Sequence, residues 1–204
     1  MKKIMFSDKY SLTRAVLEGR KTMTRRIIPE DVAKKLIIPG EQEFFPDVPC
    51  MGLDNHSRYK VGEVVAVAQA YRDIPQFNPE TYEDVMLDQG TICEESHPYS
   101  HLMRSGGWDN KMFVKAEFMP NRIRITNVRV ERLKDISEED CIREGILEDC
   151  PGVQYSFPTE IGYCGQYPFS TPREAFAALI DKVSGKGTWE SNPYCFCYEF
   201  ELIK

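Results

Sequence analysis

Strand-like segments lie far apart along this chain of 204 residues, and their spacing limits the folds it can form. Apolar alternation or continuous apolar runs predict strands at 3–6, 24–28, 64–68, 112–116, 122–133 and 194–203. Helical spacing is confined to short segments, the best defined of which begins after Thr171-Pro172 and ends before Gly185. Strands joined over long separations, with few helices, favour an α+β domain built on a curved sheet or small β-barrel.

Two loop-rich segments interrupt this pattern, at about 72–111 and 147–169. Both are rich in turn-forming and polar residues, and such insertions often carry lids or binding surfaces. We therefore expect a single domain spanning 1–204, with the two insertions available for a protein partner.

Composition narrows the classes of function. The formal net charge of -6 argues against a sequence-independent binder of long duplex DNA, which needs a broad basic face. No apolar run is long enough to span a membrane, and the start of the chain does not resemble a signal peptide. We expect a cytoplasmic protein that does not bind membranes.

The cysteines and histidines do not form a recognisable metal or redox motif. The seven cysteines are irregularly spaced and include no CxxC pair, so we expect buried free thiols. His97 and His101 have helical spacing, but Pro98 between them disfavours a regular helix. The sequence therefore predicts neither a metal site nor a cofactor.

A basic turn follows the first predicted helix. Residues 20–26 contain four cations, Arg20, Lys21, Arg25 and Arg26, and no acid. Such a cluster in an acidic chain indicates a site for an anion, although a solvated surface turn is the alternative.

Two residues of this basic turn have the chemistry of a base and a nucleophile. A neutral lysine can take the proton of a hydroxyl, so Lys21 could activate Thr24 if its pKa were lowered by burial and the neighbouring arginines. The two side chains would share a face in a helical turn and would point to opposite faces in a strand.

Three segments together resemble a known family. They are Glu18-Gly19-Arg20-Lys21-Thr22-Met23-Thr24-Arg25-Arg26, Tyr59-Lys60-Val61-Gly62-Glu63-Val64-Val65-Ala66-Val67, and Ile125-Thr126-Asn127-Val128-Arg129-Val130-Glu131-Arg132-Leu133 with the acidic helix after it. In this order they resemble an ASCH domain of the PUA-like superfamily, of the larger phage- and prophage-associated type.

The resemblance implies a small β-barrel with flanking helices, a cleft, and recognition of RNA or a modified nucleoside or nucleotide. One branch of the family hydrolyses N4-acetylcytidine, and its working residues correspond to Lys21, Thr24 and Glu144. For the glutamate, Glu138 and Glu139 are competing choices.

Further residues are candidates for holding the ligand. The basic turn supplies Arg20, Thr22, Arg25 and Arg26, and Arg25 or backbone amides could stabilise an oxyanion. Tyr71 and Trp189 could each stack on a base, whereas packing is the alternative role for both.

Three functions follow from these observations. The first is an RNA- or nucleotide-binding protein that uses the basic turn. The second is an amidohydrolase acting on N4-acylated cytidine-type nucleosides through Lys21, Thr24 and Glu144. The third is a phage-related accessory protein that binds a protein partner through its insertions.

Overall fold

The computed structural model describes residues 1–36, 56–77, 100–150, 154–159, 162–163 and 169–203. The fold is α+β, with both parallel and antiparallel strand pairs and few helices. It divides into two compact units: Met1–Phe6 with Val64–Arg122, and Ser7–Glu63 with Ile123–Ile203. Within the described ranges, no helix is long and apolar enough to cross a membrane.

The regular elements are short except for two strands and one helix. The strands are β1 Lys3–Ile4, β2 Met23–Ile27, β3 Val64–Val67, β4 Arg122–Arg132, β5 Leu147–Cys150, β6 Gln154–Ser156, β7 Pro158–Thr159, β8 Gly162–Tyr163 and β9 Tyr194–Ile203. The helices are α1 Leu12–Leu17, α2 Glu30–Leu36, α3 Ser100–Met103, α4 Glu138–Arg143, α5 Pro172–Ser184 and α6 Thr188–Ser191. Single 3-10 turns lie at Tyr71–Asp73, Pro75–Phe77, Lys111–Phe113, Ala116–Phe118 and Leu133–Asp135.

The first unit is built on a parallel pair of strands. β1 pairs with β3, so that Lys3 lies opposite Ala66 and Ile4 opposite Val67. Most of β3 is buried, as the run of small apolar residues predicts.

A hydrophobic core includes part of this strand pair. It consists of Ala66, Ala68, Tyr71, Ile74, Phe77, Val114 and Met119. The rings of Tyr71 and Phe77 meet nearly at right angles with their centroids 5.3 Å apart, a favourable aromatic geometry. The start of the first predicted insertion therefore contributes to a packed core, whereas residues 78–99 of it lie outside the described residues.

The predicted strand at 112–116 is wrong, because this segment forms 3-10 turns. The Lys3 ammonium donates hydrogen bonds to the carbonyls of Lys111 at 3.0 Å, Met112 at 2.6 Å and Val114 at 2.8 Å. The Asn110 side chain accepts a hydrogen bond from the Met112 amide at 2.9 Å. These contacts occupy backbone groups that a strand would use for pairing.

The second unit contains an antiparallel sheet with β9 in its centre. β2 pairs with β9 from Met23 opposite Glu199 to Ile27 opposite Cys195, and β4 lies on the other side of β9. The predicted closing strand at 194–203 is confirmed. Ile123 and Ile125 of β4 are buried and so is Val130, so the buried face of this strand changes parity along its length.

Capping interactions set the starts of the two main helices in this unit. The Ser137 hydroxyl accepts a hydrogen bond from the Asp140 amide at 3.1 Å, and the Thr171 hydroxyl accepts one from the Glu174 amide at 3.1 Å. Both caps agree with the sequence pattern. Four described strands, β5 to β8, form two short antiparallel pairs within the second predicted insertion.

The close packing of Gly107 against Tyr71 gives a test of the first unit. A methyl group at Gly107 would lie 2.6 Å from Cε2 of Tyr71, so Gly107→Ala should lower the free energy of unfolding by about 1–3 kcal/mol. Gly106→Ala is the matched control, because its methyl group would meet the exposed ring of Phe113, at 3.3 Å, which can move aside. Urea unfolding measures both variants, and equal destabilisation would contradict the packing argument.

Candidate functional site

The basic turn lies where the end of α1 meets the end of α4. The backbone amides of Arg20 and Lys21 both donate to the carbonyl of Ala15, at 2.9 and 3.0 Å. The amide of Thr22 donates to the carbonyl of Arg143 at 3.0 Å. These bonds satisfy carbonyls at two helix ends and place the turn beside the last residue of α4.

Lys21 and Glu144 form a buried ion pair at this junction. The Lys21 ammonium is 2.5 Å from Oε2 of Glu144, and it also donates to the Glu144 carbonyl at 2.6 Å. Their side chains are only 2% and 6% exposed. Of the three candidate glutamates, Glu144 is therefore the one placed against Lys21, whereas Glu138 and Glu139 lie exposed in the first turn of α4.

Gly145 lets the chain pass close to Lys21. Its φ angle of +104° belongs to the region that favours glycine. A Cβ atom at this position would lie 3.4 Å from Cδ2 of Leu12 and 3.6 Å from Cδ of Lys21, in ordinary van der Waals contact. The glycine thus holds Glu144 near both α1 and the basic turn.

The charge state of Lys21 is set by opposing effects. Burial lowers the pKa of its amine, and the positive charges of Arg26 and Arg25 act in the same direction. The carboxylate of Glu144 opposes them. The net direction is downward, which brings the neutral form of Lys21 closer to accessible pH.

Arg25 is the centre of a larger ionic network. Its Nε donates to Oε1 of Glu131 at 2.8 Å, its Nη2 lies 3.1 Å from Oδ2 of Asp140, and its Nη1 lies 3.2 Å from Oε1 of Glu144. Its side chain is 1% exposed. The guanidinium is therefore enclosed by carboxylates of the protein itself.

Arg129 and Arg143 extend this network toward its more exposed side. Arg129 lies 2.6 Å from Asp140, 3.0 Å from Glu131, and also contacts Glu199. Arg143 lies 3.2 Å from Asp140 and 2.8 Å from Glu199. We call the following set the ionic network: Lys21, Arg25, Arg129, Arg143, Glu131, Asp140, Glu144 and Glu199. Its four basic and four acidic members have formal charges that cancel.

Sequence reasoning missed most acidic members of this network. Glu131 and Glu199 lie in strands, where a carboxylate near apolar neighbours is a signal of a buried charge pair. Arg25, a partner of Glu131, and Arg129, a partner of both carboxylates, are strand residues as well. These charge pairs can be recognised only when the strand register is known, which places Met23 opposite Glu199 and Arg25 opposite Cys197.

Of the remaining residues of the basic turn, Thr22 contacts this network, whereas Arg20 and Thr24 have other surroundings. Arg20 is paired with Glu18 at 2.7 Å in an exposed position. Thr24 lies within β2 opposite Tyr198, so strand alternation places its side chain on the other face from Arg25. Thr22 accepts a hydrogen bond from Arg143 at 3.4 Å.

Arg26 shares a face of β2 with Thr24 and lies near a tyrosine pair. The rings of Tyr59 and Tyr198 have centroids 5.3 Å apart, and the hydroxyl of Tyr198 is 3.0 Å from that of Ser57. Burial lowers the pKa of the Arg26 guanidinium, and Arg58 acts in the same direction, although Tyr59 and Glu144 oppose them. Arg26 is thus within electrostatic range of the Lys21–Glu144 pair.

The two predicted stacking residues are both packed. Tyr71 is buried in the core of the first unit. Trp189 is half-buried against Phe176, with ring centroids 6.2 Å apart, and the Arg173 guanidinium lies 5.6 Å from its ring. A role for either in stacking on a base stays a prediction.

The thiols and histidines give no sign of a metal centre in the described part of the chain. Cys141, Cys195 and Cys197 are buried and free, as the sequence predicts, whereas Cys50, Cys93 and Cys164 lie outside the described residues. His97 also lies outside them, and His56 is exposed. No group of histidine, cysteine and acidic side chains in the described ranges is placed to bind a metal ion.

The lowered pKa of Lys21 predicts a pH dependence of stability. Between that pKa and the unfolded value of about 10.4, the unfolded chain binds more protons than the native protein, so stability should rise with pH. Lys21→Met removes this contribution. The free energy of unfolding of wild type relative to Lys21→Met should therefore increase as the pH rises through the same window.

Urea unfolding at a series of pH values measures this difference. Lys60→Met, at an exposed position, controls for the loss of a lysine. A difference between wild type and Lys21→Met that does not change with pH would contradict the assignment.

Comparison with known proteins adds little to this geometry. Neither a family model nor a curated protein sequence matches the chain. The crystal structure of protein EF3133 from Enterococcus faecalis V583, described with the family DUF984, is similar over 94% of this chain, at 13% identity and a TM-score of 0.35. This chain spans 66% of that protein, just under two thirds. At this TM-score and identity, we base no argument on the similarity.

Proposed function

We propose that the second unit hydrolyses an N4-acylated cytidine-type nucleoside, with Lys21 and Glu144 as the central residues. The observation that carries the proposal is the buried contact of 2.5 Å between their side chains, which are 123 positions apart in the chain. A lysine of lowered pKa held by a single carboxylate is a suitable general base. The ASCH resemblance assigns the same two residues to this chemistry.

The reaction divides into two balanced steps. Neutral Lys21 takes the proton of the Thr24 hydroxyl, and the oxygen forms a bond to the acyl carbon. The bond from carbon to N4 then breaks, and the Lys21 ammonium returns the proton to the leaving amine. In the second step, Lys21 takes a proton from water, and the water oxygen forms a bond to the acyl carbon. The bond from that carbon to the Thr24 oxygen then breaks, and the Lys21 ammonium returns the proton to this oxygen. The overall products are the free nucleoside and a carboxylic acid.

Glu144 supports Lys21 through this cycle. Its carboxylate stabilises the ammonium each time Lys21 carries a proton, and its position at the end of α4 fixes the amine beside β2. The side chain of Thr24 lies on the opposite face of β2 from that of Arg25. Arg26 lies on the same face as Thr24 and is within electrostatic range of Lys21. The assignment of Thr24 as the nucleophile is taken from the resemblance and is tested separately.

Release of cytidine from N4-acetylcytidine, followed by chromatography, tests this proposal. We expect turnover by wild type and a loss of at least about 100-fold in kcat for Lys21→Met, because the general base is removed. Thr24→Ser should keep activity and Thr24→Val should lose it. Arg124→Gln, which alters an exposed ion pair with Glu201, is the control. No turnover by wild type, or full turnover by Lys21→Met, would refute the proposal.

The second candidate is a protein that binds RNA or a nucleotide without hydrolysing it. The grouping of Arg26 and Arg58 favours it, because two cations close together suit a phosphate, whereas the Tyr59 and Tyr198 rings beside them are buried against each other. Within this proposal, Arg26 and Arg58 supply the charge.

The salt dependence of RNA binding tests the second candidate. Affinity for a short single-stranded pyrimidine RNA, measured by fluorescence anisotropy, should fall steeply as salt increases. Arg26→Gln should weaken binding and reduce the slope of log K against log salt by about one. Binding that is absent at low salt, or insensitive to Arg26→Gln, would count against this candidate.

Both candidates fit a PUA-like small β-barrel of the ASCH type, which we propose as the finer description of the fold. A cytoplasmic location and a phage-related origin belong to the same proposal. Partner binding through the insertions stays a prediction, since residues 78–99, 151–153, 160–161 and 164–168 lie outside the described residues.

A further inference from the structure

We propose that Arg25 is a positioning residue that orients Glu144 toward Lys21, and that it does not bind the ligand itself. The inference rests on the proposed hydrolysis, in which Lys21 and Glu144 act together. It differs from the expectation drawn from the sequence, which places Arg25 among the residues that hold the ligand or stabilise an oxyanion.

The hydrogen-bonding capacity of Arg25 is taken up inside the protein. An arginine side chain has five N–H groups. Nε donates to Glu131, Nη1 donates to Met23 Sδ at 3.2 Å and to Glu144 at 3.2 Å, and Nη2 donates to Glu131 and to Asp140 at 3.1 Å. With its side chain 1% exposed, Arg25 could contact a substrate only by breaking one of these bonds.

The carboxylate of Glu144 is divided between two cations. Oε1 lies 3.2 Å from Arg25, and Oε2 lies 2.5 Å from Lys21. Holding Oε1 fixes the rotation of the carboxylate, so Oε2 faces the Lys21 amine. Arg25 thereby acts on the reacting groups through Glu144.

Arg25 is itself held in place by supported carboxylates. Arg129 lies 2.6 Å from Asp140 and 3.0 Å from Glu131, the two other acidic partners of Arg25. A guanidinium anchored on two sides by such fixed groups keeps its third contact, with Glu144, in one geometry.

The position of Arg25 also has an electrostatic consequence. Lys21 contacts Glu144 at the end of α4, and the charges of Arg25 and Arg26 in β2 act on its amine. Arg25 offsets part of the negative charge of Glu144, and its positive charge lowers the pKa of Lys21. Loss of this positive charge alone would favour the protonated form of Lys21, whereas loss of the hold on Oε1 would weaken the contact between Oε2 and the ammonium and favour the neutral form.

Turnover of N4-acetylcytidine by Arg25→Lys and Arg25→Gln separates positioning from ligand binding. Arg25→Lys keeps the charge but loses the forked geometry. For a positioning residue, kcat should fall about 10- to 100-fold in both variants while KM stays unchanged. Arg124→Gln should leave both parameters unchanged. A raised KM with an unchanged kcat would overturn the inference.

A second measurement needs no substrate and separates this inference from the proposed function. NMR of protein carrying ¹³C-labelled lysine follows the titration of Lys21, whose signal is assigned by its loss in Lys21→Met. The titration midpoint should move to lower pH in Arg25→Lys, which keeps the positive charge but loses the forked hold on Glu144, so that the carboxylate stabilises the Lys21 ammonium less. If the midpoint moves but wild type releases no cytidine, the hydrolase proposal fails and the positioning of Glu144 by Arg25 stands.

The same titration decides the remaining outcomes. An unchanged midpoint in Arg25→Lys overturns the inference even if wild type is an active hydrolase. If Arg25→Lys does not fold, Met23→Leu replaces it, because it removes the Sδ atom that accepts a hydrogen bond from Nη1 of Arg25 and changes no charge. It should shift the midpoint in the same direction and by less, and no shift would overturn the inference.

Discussion

The carboxylate of Glu144 contacts two buried cations, and the packing of the second unit depends on these contacts. Lys21 reaches it from the turn after α1, and Arg25 reaches it from β2. Removing one partner of a buried pair leaves an uncompensated charge and is strongly destabilising. These ion pairs therefore hold the end of α4 against the start of β2. Gly145 follows Glu144 directly, and its positive φ is a backbone conformation that other residues adopt only with strain.

The structure changes the meaning of the basic turn. In the sequence it is a cluster of cations that calls for an external anion. In the folded unit, Arg20, Lys21 and Arg25 each contact a carboxylate of the protein. A neutralised cluster attracts long polyanions weakly, whereas a buried, balanced set of charges suits the tuning of one reactive amine. This contrast is why the hydrolase is our first proposal and binding without hydrolysis our second.

Local sequence patterns were sufficient to predict the elements that have strong local signals. The cap at Thr171 and the closing strand both depend on neighbouring residues. The segment 112–116 was mispredicted because its conformation depends on Lys3, more than 100 positions away. The site shows the same limit: the resemblance supplied Lys21 and Glu144, but the parts played by Glu131 and Asp140 follow from strand register and helix placement, which no local pattern encodes.

The central place of β9 has a consequence for how the second unit folds. β2 is near the start of the chain, yet its partner strand comes after residue 193, with Met23 opposite Glu199. Closing so long a loop makes folding slow compared with that of proteins rich in local contacts. Before β9 docks, the arginines of the basic turn lack much of the surroundings that the sheet gives them. We therefore expect a newly made chain to carry, until the sheet is complete, a cationic segment that can associate with polyanions.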